Sequence, residues 1–110
     1  MGDGTKENPF TREDIKKKIE ENGGKTEGLD LSRKVFENGI NLSKFDLKGA
    51  YLCGAYLERA NLGDAHLEGA SIFAVHLEGA HLFDANFEGA DLSGAHLDEA
   101  ILNGAHLKGA

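Results

Sequence analysis

The sequence predicts a single-domain, all-β solenoid built from a five-residue repeat, with a short capping α-helix at its N-terminus. Three observations carry this. An apolar residue recurs at every fifth position from Leu42 to Leu107. A small apolar residue stands two places before almost every one of these, as alanine from Ala50 to Ala105 with Val75 the exception, and the alanine spacing continues to Ala110. Glycine or aspartate gathers two places after them, at Gly49, Gly69, Gly89, Asp64 and Asp84 among others.

Residues 1–10 are expected to be a flexible N-terminal segment, and residues 11–24 to form the helix. Thr11 followed by Asp14 fits a capping box with the shorter acid, and Phe10 and Ile15 take the staple positions around it. Ile15 and Ile19 fall one turn apart on a single face, and Gly23-Gly24 supplies the stop. A solenoid cannot leave its terminal coil bare, so this helix is expected to lie over the first coil as a lid.

The solenoid is expected over residues 25–110. Its first coil slips in register: Leu29-Asp30-Leu31 fits the repeat and Phe36 is the next centre, but Phe36 to Leu42 is six residues instead of five. One extra residue near Glu37-Asn38-Gly39 predicts a bulge there, with Lys34 standing where a small inward residue is expected. From Leu42 onward the spacing never slips, and a period of five suits neither ordinary element. On a helix each step of five turns about 140°, which spreads the leucines around the whole circumference. Along one strand the step is odd, so successive leucines point to opposite faces. The pattern is satisfied when a three-residue extended piece, with alanine and leucine inward and the residue between them outward, is followed by a two-residue corner. Gly and Asp at the second corner position tolerate the dihedrals a turn requires.

Ala60-Asn61-Leu62, Ala85-Asn86-Phe87 and Ala90-Asp91-Leu92 closely resemble the motif of the pentapeptide-repeat family, and the tandem copies run to Ala110. That resemblance implies a right-handed quadrilateral β-helix with four repeats per coil. The residues themselves leave the number of sides open, because corner residues recur about as well at a lag of fifteen as at twenty.

The charge restricts the function. The chain carries a formal net charge of −7, and its excess acid lies in the repeats: residues 40–110 hold four basic and ten acidic side chains. Nucleic acid and anionic membranes call for clustered Lys and Arg, so neither is an expected partner. The run Lys16-Lys17-Lys18 is diluted by Glu13, Asp14, Glu20 and Glu21 and reads as a solvated helix face. No stretch is apolar enough for a membrane span or a secretory signal, and Lys6 stands where a myristoylation signal wants Ser or Thr. The single cysteine, Cys53, cannot form an internal disulfide, which fits a reducing cytoplasm.

No nucleophile elbow or phosphate-cradling loop is present, and an interior of Leu and Ala leaves no polar pocket, so the chain is read as non-enzymatic and without a cofactor. All five histidines stand at the outward position just before a centre. With four repeats per coil, His76 and His96 stack at a spacing of about 4.8 Å in a column that begins with Tyr56. Glu58, Glu78 and Asp98 form a second column on that side. These six residues are the expected protein-binding face, with the partner unknown. A metal-binding surface at the stacked histidines is one alternative; no metal site is expected, since zinc usually takes three or four protein ligands. The other alternative is an acidic DNA mimic that binds a topoisomerase, as some members of the resembling family do, although the stack is short and weakly charged for that role. Phe73 and Phe83 are expected outward on opposite sides. The last coil, with Leu92, Leu97, Leu102 and Leu107, ends without a following polar or helical segment in this sequence, so the expectation is either that the natural chain continues past Ala110 or that this end pairs with a second copy as a homodimer.

Overall fold

In the computed structural model, which describes residues 1–110, successive coils are joined by single-residue parallel bridges. Asn41 pairs with Asn61, Asp46 with His66, and so on to Asn86 with His106, always at a separation of twenty residues. Twenty residues are four repeats, so each coil has four sides, the number that the repeat sequence left open. Each repeat makes three bonds to the neighbouring coil, as where Leu47 N–H donates to the His66 carbonyl at 2.7 Å, Gly49 N–H to the Glu68 carbonyl at 3.0 Å, and His66 N–H to the Phe45 carbonyl at 2.8 Å. Of 72 backbone hydrogen bonds, 66 lie outside regular elements, so this ladder and its corners hold the solenoid together.

Each corner is closed by a bond from the alanine N–H back to the preceding centre, such as Ala50 to the Leu47 carbonyl at 3.1 Å. Only the second corner residue has positive φ, which is the signature of a type II turn. Where Asp or Asn stands before the centre, its side chain accepts from the N–H of the first corner residue. Asp30 to Ser32, Asn61 to Gly63 and Asp91 to Ser93 each do so at 3.0 Å. This bond is the physical reason for Asn or Asp in the motif: a short side-chain acceptor pre-forms the turn. At Asp91 the Ser93 hydroxyl and N–H hold the carboxyl below its ordinary value of 3.8.

Seven corners place a non-glycine residue in this left-handed region, Ala74 among them at φ 57°. Gly69 has φ 66°, and a methyl group there would meet no atom within 4 Å. Gly69→Ala is therefore expected to cost backbone strain alone, about 1 kcal/mol, read as a lower urea midpoint at unchanged slope. A stabilised Gly69→Ala variant would show that the turn is not what confines this position.

The first coil has one residue more than the others. Asp30 pairs with Tyr51 and Val35 with Tyr56, a separation of twenty-one, while Asn41 to Asn61 is twenty. The change falls between Phe36, whose N–H donates to Tyr56, and Gly39, whose N–H donates to Glu58. The extra residue therefore lies in the Glu37-Asn38 stretch where the sequence predicts a bulge.

Helix α1 (Arg12–Glu21) is capped by Thr11 and Asp14 in a reciprocal capping box and ends at Asn22. The expected helical segment was longer, over 11–24. Gly23 and Gly24 have φ 71° and 75°, which stops the helix before them. Residues 1–10, read from the sequence as a flexible segment, make specific contacts with the first coil. Val35 N–H donates to Gly4, Phe10 N–H to Val35, and Glu37 N–H to Phe10, while the Phe10 ring meets Phe36 edge-on at 5.6 Å. The segment adds a partial strand beside Val35 and Phe36, which plain polarity could not reveal.

The core is one cluster of 25 buried apolar residues, running from Phe10 and Ile15 under the helix through the leucine and alanine columns to Ala90. No helix is long and apolar enough to cross a membrane.

Candidate functional site

The period of twenty stacks the outward residues into four columns. One of them runs Val35, Tyr56, His76, His96. The sequence reading began this column at Tyr56; the extra residue in the first coil concealed that Val35 continues it. The rings follow the coil spacing: Tyr56 lies 4.5 Å from His76 at an interplanar angle of 6°, and His76 lies 4.4 Å from His96 at 0°. The coil spacing brings these rings into a parallel stack.

Glu58, Glu78 and Asp98 each stand two places after a ring of this column, at the corner beyond it. All six residues predicted for the binding face are therefore on one side of the solenoid. His76 Nδ1 and Glu78 Oε2 are 3.2 Å apart, while Glu78 Oε1 is shielded from solvent without a hydrogen-bond partner. Partial burial pushes the Glu78 carboxyl up, but its own backbone N–H and the nearby His76 and His96 outweigh that and hold it below the ordinary 4.5. At the upper end of the face, Lys6, Pro9, Val35, Phe36, Asn38, Tyr56 and Glu58 line an open groove. Sequence reasoning missed Lys6, Pro9 and Val35, and the only available signal was the six-residue step at Phe36.

The opposite side carries Asp46, His66, Asn86 and His106. His66 Nδ1 approaches Glu68 Oε2 at 3.5 Å, the same local pairing as at His76, but asparagine follows it in the next coil. Phe73 and Phe83 are 47% and 41% exposed, outward as expected, and His81 meets Phe83 edge-on at 5.9 Å. Cys53 is half-buried, with its thiol 3.5 Å from the Ser71 carbonyl. In the last coil Leu92 and Leu97 are half-buried, and Leu102 and Leu107 are exposed, Leu107 by 43%.

The family profile described as pentapeptide repeats (8 copies) matches residues 38–72 and 74–110. This chain belongs to the pentapeptide-repeat family. Among solved structures it is similar to alr5209, a pentapeptide repeat protein from Nostoc Pcc 7120, with a TM-score of 0.74 and 36% identity over 84% of this chain and 74% of that one. It is also similar to Rfr23, a pentapeptide repeat protein from the cyanobacterium Cyanothece 51142, with a TM-score of 0.54 and 32% identity over 76% of this chain and 63% of that one. No curated protein matches it in sequence. As a pentapeptide-repeat protein, the chain has its chemistry on the outer columns, with the interior given over to packing.

Proposed function

We propose that this pentapeptide-repeat protein is a non-enzymatic structural and protein-interaction module, wound as a right-handed quadrilateral β-helix, that meets a protein partner through the face of Tyr56, Glu58, His76, Glu78, His96 and Asp98. The filled coil carries this reading: 25 apolar side chains pack as one cluster, so substrate-sized enclosure is replaced by a rigid surface. The hand follows from family resemblance, and the four sides follow from the twenty-residue bridges. The chosen face joins stacked rings to a flanking row of carboxylates and continues into the groove beside Pro9 and Val35. Rings stacked at the coil spacing present a continuous aromatic surface, which favours them as anchors, and a basic partner surface would complement the acids.

Affinity capture on the immobilised chain tests this. A Tyr56→Ala/Glu78→Lys/His96→Ala variant is expected to lose a partner that wild type and a His66→Ala/Asn86→Ala variant both retain, with at least about a thirtyfold drop in affinity for one aromatic anchor and its neighbours. Equal capture by the two variants would sink the assignment of the face. DNA gyrase supercoiling is expected to proceed unaffected by the protein; inhibition would favour a topoisomerase-binding DNA mimic instead.

A further inference from the structure

We propose that His76, Glu78 and His96 form a binding site for a divalent transition-metal ion of the zinc class, held at the surface of two successive coils. The sequence alone supplied two stacked imidazoles, too few for such a site. The fold adds a third donor, because the corner after Leu77 turns Glu78 back toward His76.

One donor atom from each of the three residues lies within 4.8 Å of the other two. A point no more than about 2.8 Å from all three therefore exists, against bonds of roughly 2.0–2.2 Å for zinc to imidazole nitrogen and carboxylate oxygen. The required closure is a fraction of an ångström per side chain. Two donors need almost none: His76 Nδ1 and Glu78 Oε2 are 3.2 Å apart, close to the edge of a tetrahedron with bonds of about 2.0 Å. His96 must supply the remaining movement. Its ring is parallel to that of His76 at 4.4 Å, with a donor atom within 4.8 Å of the other two, and a rotation of the exposed His96 ring brings a ring nitrogen onto the ion.

Charge also favours occupancy. Glu78 brings a carboxylate beside the two imidazoles, so the donor set offers a cation a negatively charged oxygen as well as two nitrogens. Two imidazoles and one carboxylate suit zinc and its neighbours in the transition series, whereas magnesium and calcium demand an oxygen cage that this surface does not offer. Three protein donors leave the fourth position open to water or to a donor from a partner.

The fold contains its own control. His66 and Glu68 repeat the His-x-Glu pairing on the opposite side at 3.5 Å, but the residue stacked on His66 in the next coil is Asn86. If any surface histidine beside an acid sufficed, the two places would bind alike.

The test is a Zn²⁺ titration of the full chain, free of any polyhistidine tag, against a competing chromophoric chelator at neutral pH. One equivalent is expected to bind. His96→Asn and Glu78→Gln should each weaken binding by at least about tenfold, and His66→Asn should leave it unchanged. Co²⁺ in place of Zn²⁺ should give the strong visible bands of low-symmetry four-coordination, lost in His96→Asn, while Mg²⁺ should not compete. Circular dichroism of each variant would establish that the coil is intact. Absence of a bound equivalent, or an equal loss in His66→Asn and His96→Asn, overturns the proposal; neither result bears on whether the same face binds a protein.

Discussion

Leu77→Asp is expected to abolish folding. Leu77 is 1% exposed and is the centre of its repeat, with Leu57 in the coil before it and Leu97 in the coil after. Removing its burial loses about 1.5–3 kcal/mol. The carboxylate then has no partner in a layer made of leucine and alanine, which adds a desolvation penalty of several kcal/mol or forces the group to take up a proton. Against a domain stability of about 5–15 kcal/mol the sum is close to the whole. Because every coil rests on its neighbours, the break falls in the middle of the stack and cannot be confined to an end. Leu77→Ala separates the two contributions: about 2–5 kcal/mol lost to a cavity, with the fold retained. Circular dichroism and urea unfolding of both variants check this, and an unchanged melting point for Leu77→Asp would refute the inward assignment of the leucine column.

The repeat is legible because its signal is redundant. Each leucine column is written several times over, so the inward positions, the outward histidines and the corners follow from spacing alone. The number of sides was not legible, since period five fixes the shape of one step but says nothing about how many steps complete a turn. Only the bridges between Asn41 and Asn61 and their successors decide that. The same limit hid part of the candidate site. Tyr56, His76 and His96 could be aligned once four repeats per coil were assumed, but Val35 joins them only because the first coil is one residue longer. Glu78 was placed in the right column from its register. Its approach to His76 depends on the side-chain torsions of the two residues, which no periodicity expresses.

Deleting residues 1–24 is expected to convert a stable chain into an aggregating one. The deleted segment covers the first coil in two ways. Phe10 and Ile15 plug its open end, at 1% and 0% exposure, with Ile19 packed beside them. Removing these side chains from the core forfeits about 1.5–3 kcal/mol for each of the two fully buried ones. It also exposes Phe36, Leu31 and Phe45, the last of which now lies under the Arg12 guanidinium at 4.9 Å. Gly4 and Phe10 meanwhile occupy backbone groups of Val35 and Glu37 that would otherwise form a bare parallel edge. An exposed edge with apolar side chains along it is a template for pairing with another chain. Light scattering should therefore rise on truncation, and the urea midpoint of whatever remains soluble should fall. Ile15→Asp in the full chain isolates the plug, because it leaves the Gly4 and Phe10 backbone bonds available: it should lower the midpoint strongly while causing less aggregation than the deletion. A truncated protein as soluble and as stable as the full chain would mean that the helix is an appendage and that the first coil closes on itself.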